Sequence, residues 1–155
     1  MTYNTIDDMV QDFAQGAVDI ARQFEITLDY SEDSLQHVES ILAQLHNDLR
    51  SGPAGVASPQ PPPPPAPPND QMEMMCKMWG GYFGEVVRRR WGGEWSVETY
   101  PGAGFATLTL TLPAGKIFPS IKVYRRLTEG EQDNVWKFYE SMRPKLAAAP
   151  GAAVQ

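Results

Sequence analysis

With 155 residues and 42% hydrophobic content, the chain is long enough for one compact domain with a real core and short for two. Its net charge of −6 repels nucleic acid at long range, and a single cysteine, Cys76, excludes an intrachain disulfide. No segment approaches the ~20 apolar residues needed to cross a bilayer, and the amino terminus lacks a basic region followed by an apolar run, so the expectation is a reduced, cytoplasmic protein without a membrane role.

Residues 5–24 place Ile6, Met9, Val10, Phe13, Ala17, Ile20, Ala21 and Phe24 at spacings of three and four, which is one apolar stripe on a helix. Thr5 is its natural N-cap, and Asp7 and Asp8 complement the helix dipole. A second helix is expected from about Glu32 to Arg50, capped by Ser31, with Leu35, Val38, Ile41, Leu42, Leu45 and Leu49 on its buried side. The short connector Glu25 to Tyr30 makes residues 1–50 a helical hairpin whose stripes face a common partner.

Nine prolines lie between Ser51 and Asn69, including the unbroken run Pro61 to Pro65. Such a composition forms neither helix nor central strand, so residues 51–69 are expected as a stiff linker within the same domain. At ~3.1 Å per residue the stretch Pro59 to Pro68 spans roughly 30 Å in polyproline II geometry.

A third helix begins near Asp70 and runs to about Arg90, with Met72, Met75, Cys76, Trp79, Phe83, Val86 and Val87 on one broad face. Glycine in a helix interior costs roughly 1 kcal/mol against alanine, so Gly80 and Gly84, four apart, call for a neighbour that approaches too closely for any Cβ. Gly92 and Gly93 then end the helix.

Three strands are expected next: Glu94 to Tyr100, Phe105 to Leu112 and Lys116 to Tyr124. In the second, Ala106, Leu108, Leu110 and Leu112 alternate with Phe105, Thr107, Thr109 and Thr111, the pattern of a sheet packed on one side. Pro101-Gly102-Ala103-Gly104 and Pro113-Ala114-Gly115 are turns of hairpin length, which favours an antiparallel meander, while Pro119 places the third strand at an edge or a bulge. Thr128-Glu129-Gly130-Glu131 has capping-box spacing and opens a last helix through Val135, Trp136, Tyr139, Met142 and Leu146, ending around Pro144. The fold class is therefore α+β, with a helix-βββ-helix part over residues 70–146 and a tail at 147–155.

No catalytic or cofactor signature is present: there is no phosphate loop, nucleophile elbow or dinucleotide fingerprint. Met72, Met74, Met75, Cys76 and Met78 are soft donors, but about 100° between successive helical residues prevents convergence on one metal. His37 and His46, nine apart, fall on opposite sides of one helix and are expected at the surface. Neither a metal nor a cofactor is expected.

Charge is unevenly distributed, with ten acids and two arginines in residues 1–50 against three acids and seven bases in residues 85–126. Glu85, Arg88, Arg89, Trp91, Trp95, Lys122, Tyr124 and Arg125 form the candidate partner-binding set, because arginine and aromatic side chains dominate interface hot spots. Glu85 reads either as a helical ion-pair partner of Arg88 and Arg89 or as a buried acid.

The segment Tyr82-Phe83-Gly84-Glu85-Val86-Val87-Arg88-Arg89, followed by Gly92-Gly93-Glu94-Trp95, resembles a family of small uncharacterised bacterial cytosolic proteins. Pro119 to Leu127, Gly130, Phe138-Tyr139 and Leu28 to Ser31 extend the resemblance over most of residues 10–145. Similar small proteins occur as immunity partners of bacterial toxins, which implies binding of another protein rather than a reaction. Two alternatives stand beside it: a small enzyme using Glu85 with Arg88 or Arg89, and a nucleic-acid-associated regulator.

Overall fold

The computed structural model describes residues 5–51, 70–100 and 106–148. The proline-rich linker beyond Ser51, the turn at 101–104 and the tail from residue 149 onward lie outside the described residues. Helix α1 (Ile6–Gln23) opens as its sequence dictates, the Asp8 amide donating to Thr5 Oγ1 at 3.1 Å. Helix α2 (Ser34–Ser51) starts slightly later than expected, with the Ser34 amide donating to Ser31 Oγ at 3.2 Å. The expected hairpin whose two stripes face a common partner is corrected here: α1 packs chiefly on α3 (Asp70–Trp91) and α2 chiefly on α4 (Pro119–Glu129).

Helix α3 is the axis of the fold. Every residue from Trp79 to Val87 is buried, so the helix is covered on all sides along that stretch rather than along one stripe. A Cβ added at Gly80 would stand 2.7 Å from the Ser120 backbone of α4, and one at Gly84 would stand 2.2 Å from Trp95 Cη2. Glycine at these two positions lets a helix end and an indole ring lie directly on the α3 backbone.

Strands β1 (Glu94–Thr99), β2 (Ala106–Leu112) and β3 (Gly115–Ile117) form an antiparallel sheet in the order β1-β2-β3. Trp95 pairs with Leu110 and Val97 with Leu108, which directs Leu108, Leu110 and Leu112 into the core. The chain is thus α+β, with the sheet meeting α3 and α4 through β2.

Three expectations are corrected in the last third. The strand expected over Lys116 to Tyr124 is only the short β3, after which Pro119 takes the first turn of α4. A proline needs no amide donor there, and Pro119, Ser120, Val123, Arg126 and Leu127 recur at helical rather than alternating spacing on the buried side. Thr128 does not cap the last helix: its hydroxyl donates to the Tyr124 carbonyl within α4, and Gly130, at φ 108°, ends that helix. A single 3-10 turn (Glu131–Asp133) leads instead to α5 (Val135–Ala148), where Asn134 Oδ1 accepts from the Lys137 amide at 2.9 Å. Helix α5 continues through Pro144 to Ala148 instead of stopping at the proline, so the first residues of the expected tail are helical.

Replacing Gly84 by alanine is expected to cost about 3 kcal/mol or more, because the indole and the α4 proline have nowhere to retreat. Gly92→Ala meets open space at φ 84° and is expected to cost only about 1 kcal/mol of backbone strain. Urea denaturation of the two variants measures the difference.

Candidate functional site

Three of the candidate residues, Arg88 and Arg89 on α3 and Trp95 on β1, converge on a fourth, the carboxylate of Glu85. Glu85 is fully buried, and its two oxygens accept five N–H donors. Arg88 clasps it in a fork, Nε to Oε2 at 2.7 Å and Nη2 to Oε1 at 3.0 Å. Arg89 Nε reaches Oε1 at 3.1 Å, Trp95 Nε1 reaches Oε2 at 2.7 Å, and Gln11 Nε2 arrives from α1 at 2.5 Å. Burial pushes the carboxyl pKa up, but the hydrogen bonds from Arg88, Trp95 and Gln11 outweigh it and hold the group at about 2. Glu85 is therefore an ionised acid with no accessible surface, which joins α1, α3 and β1.

The arginines around it remain at the surface. Arg88 is 32% exposed, Arg89 41% and Arg90 52%. Arg89 also donates to Gln11 Oε1 at 2.9 Å and lies 3.7 Å above the Tyr30 ring, so three contacts fix its guanidinium. Tyr30 itself sits at φ 64° and donates its amide to the Tyr82 hydroxyl at 2.8 Å. Arg90 lies over the half-buried Trp91 ring at 4.6 Å and pairs with Glu32 at 3.6 Å. Trp91 Nε1 donates to the Tyr139 hydroxyl at 2.9 Å, and Tyr139 donates in turn to Glu32, which Arg143 also approaches at 3.6 Å. Burial and that bond to Glu32 keep the Tyr139 phenol well above its ordinary pKa, hence a neutral donor.

The other candidates lie in separate surroundings. Lys122 and Arg125 converge on the buried Asp133, at 3.2 and 3.4 Å, and Lys122 lies 4.7 Å from the centre of the Phe138 ring. Tyr124 lines a cavity between α3, α4 and β2. Trp95 is 7% exposed and Glu85 not at all, so these two support a surface rather than forming one. Gly80 and Gly84 stand at the close approaches of α4 and Trp95.

His46 departs from its expected surface position: it is buried, its Nδ1–H donating to the Leu127 carbonyl at 2.7 Å, with Gly130 packed over the ring. Sequence patterns also passed over a second buried carboxylate. Glu39 accepts from Arg126 Nε at 2.8 Å and from the Val135 amide at 2.9 Å, tying α2 to α4 and to the start of α5. Its signal was an acid four residues after Leu35 and next to Val38, inside the apolar arc of α2. Gln11, Tyr30, Glu32 and Tyr139 carried no comparable mark.

Among the described residues, no group of three or more His, Cys, Asp or Glu side chains could hold a metal ion, and no helix is long and apolar enough to cross a membrane. No family model, curated protein or solved structure matches the chain.

The depressed pKa of Glu85 gives its stabilisation a definite sign. It is fully present above about pH 5, where the same group in the unfolded chain is ionised, and is lost as pH falls toward about 2. Glu85→Gln is expected to lower stability at neutral pH by about 1–3 kcal/mol and to flatten the decline of Tm below pH 5 relative to wild type. Thermal unfolding followed by circular dichroism across that range checks both.

Proposed function

We propose that this chain is a non-catalytic protein-binding module, of the kind in which an immunity-type inhibitor covers a bacterial toxin. The observation that carries this reading is the arrangement at the end of α3, where Arg88, Arg89 and Arg90 are partly exposed while their inner edges are held by Glu85, Gln11, Tyr30 and Glu32. Arginines already immobilised lose little side-chain freedom on association, roughly 0.5–1.5 kcal/mol less per side chain than mobile ones. Flanked by the half-buried Trp91, they suit an acidic patch on a partner. The resemblance carried by Tyr82 to Arg89 and Gly92 to Trp95 supports the same class of function.

An enzyme built on Glu85 with Arg88 or Arg89 requires a carboxyl able to exchange protons near neutrality. A group held at about 2, without solvent contact, is poorly suited to that work. A nucleic-acid role would use the same arginines but has to overcome the net charge of −6.

The test is isothermal titration against the product of the adjacent reading frame. A stoichiometric complex is expected, weakened at least tenfold, about 1.4 kcal/mol, by Arg89→Ala or Arg90→Ala; Tm is expected to change little in Arg90→Ala, whose side chain does not reach Glu85, and to fall in Arg89→Ala, which removes one of the Glu85 donors. No complex, or one indifferent to both substitutions, would overturn the proposal. Steeply salt-dependent binding to a DNA duplex would favour the nucleic-acid alternative instead.

A further inference from the structure

The loop between α1 and α2 places an aromatic residue where its backbone is strained. Tyr30 stands at φ 64°, in the left-handed region that a bulky side chain rarely enters. Contacts with the buried Tyr82 hold it there: the Tyr30 amide donates to the Tyr82 hydroxyl at 2.8 Å, that hydroxyl meets Ser34 Oγ at 2.7 Å, and the two rings lie 4.7 Å apart. Glycine or asparagine would take the same angle with less strain but would present no ring. The ring has a use, because the Arg89 guanidinium carbon lies 3.7 Å from its centre. So close an approach leaves no space for an interposed nitrogen, and the two planes are therefore stacked.

The hydrogen bonds at Glu85 decide which edge of each arginine faces inward. Arg88 gives Nε and Nη2 to Glu85, whereas Arg89 gives Nε to Glu85 and Nη2 to Gln11 Oε1. None of these bonds uses Nη1. A guanidinium has five N–H groups, so Nη1 and the remaining N–H of Nη2 form a second fork at its far end, the geometry that matches a carboxylate. In Arg89, 41% exposed, that fork has a fixed plane, since the Tyr30 ring backs one face and two bonds pin the inner edge. Charge restricts the ligand further. Arg88 and Arg89 share the ionised Glu85, which leaves one net positive charge, matched by a single carboxylate and exceeded by a phosphate dianion.

We propose that Tyr30 is a positioning residue of the protein-binding surface, aiming Arg89 so that its outward edge takes one aspartate or glutamate carboxylate of the partner in a two-hydrogen-bond fork. The inference rests on the protein-binding role and names what that surface recognises. Holding the guanidinium in advance removes part of the ordering cost of association.

Its test needs only the isolated full chain, titrated at low ionic strength with a capped tetraglutamate peptide and, as controls, capped tetraglutamine and inorganic phosphate. In the free protein the Nε–H of Arg89 is expected to exchange with solvent at least ~10-fold more slowly than that of Arg22, whose only printed contact is an exposed pair with Asp19. Tetraglutamate should shift the Arg89 Nη signals saturably, with a Kd on the order of 0.1–10 mM. Tetraglutamine should leave them in place, and phosphate should bind at least ~3-fold more weakly. Tyr30→Asn, which tolerates the left-handed angle, is expected to speed Arg89 Nε–H exchange and to weaken tetraglutamate binding, each ~3-fold or more. Tyr30→Phe, which keeps the ring, should restore both. If Tyr30→Asn loses its native circular dichroism, Tyr30→Leu keeps apolar bulk against Tyr82 without an aromatic face, and the same losses are expected. The inference is overturned if Arg89 Nε–H exchanges as fast as that of Arg22, if either control binds as tightly as tetraglutamate, or if the variants lacking the ring bind it as wild type does. Should these results hold while the product of the adjacent reading frame forms no complex, the carboxylate site stands and the choice of that product as partner fails.

Discussion

A carboxylate cut off from water stays ionised only where donors replace its lost hydration, and the architecture of this protein is arranged to supply them at Glu85. Donors come from α1, from the next turn of α3 and from β1, so the bond set can close only when those three elements are docked together. The indole that delivers one of the bonds reaches the carboxylate by lying across Gly84. The two features are one device. The glycine that weakens the helix locally permits the ring contact, and the ring contact completes the ion's solvation. Losing the charge-assisted hydrogen bonds of such a buried carboxylate costs about 1–3 kcal/mol, which matches or exceeds the roughly 1 kcal/mol of helix propensity that such a glycine forgoes.

The same principle recurs at two further acids from the amino-terminal half. Glu39 on α2 is held by Arg126 of α4 and by the first amide of α5, and Glu32 ahead of α2 draws in Arg90, Tyr139 and Arg143. They join the two oppositely charged parts of the sequence at two ion pairs, Arg126 with Glu39 and Arg90 with Glu32. The other bases of residues 85–126 find acids elsewhere, Arg88 and Arg89 at Glu85, Lys116 at Glu98, and Lys122 and Arg125 at Asp133. Hydrophobic burial drives the collapse, whereas these ionic contacts, directional and few, select one arrangement of it.

This division of labour also explains what could be read from residues alone. Amphipathic stripes on α1 and α2, the glycine notch on α3 and the alternation of β2 are periodic signals, and each corresponds to an element in the structure. The segment after Ile117 reads as a strand from its β-branched and aromatic residues, whereas its helical signal is carried by Pro119 at a first turn and by the spacing of Ser120, Val123 and Leu127. Thr128 offered a capping box that Gly130 pre-empted by turning the chain at a positive φ. The candidate site was legible only in part. Arg88 and Arg89 stand one turn from Glu85 on the same helix, a local relation that spacing reveals. Gln11, Tyr30 and Trp95 reach that site through tertiary packing, and no one-dimensional pattern encodes such a meeting.

Helix α3 carries two unlike surfaces because its neighbours differ at its two ends. Toward the carboxyl-terminal end, α1, β1 and the loop before α2 bring polar groups to the helix, and the result is a set of ordered cations at the protein surface. Toward the amino-terminal end, α4 and β2 bring mostly apolar side chains and stop short of filling the space between them. Ser120 lies at the boundary, its backbone fixed against Gly80 and its hydroxyl without a partner. The cavity and the arginine cluster are connected through a buried, close-packed helix, through the α4 terminus resting on it, and through β2 and its partner β1, whose Trp95 donates to Glu85. Such a connection transmits displacement rather than charge, so any coupling between the two ends would be felt as a shift of Trp95 and Pro119 across Gly84, where there is least room to absorb it.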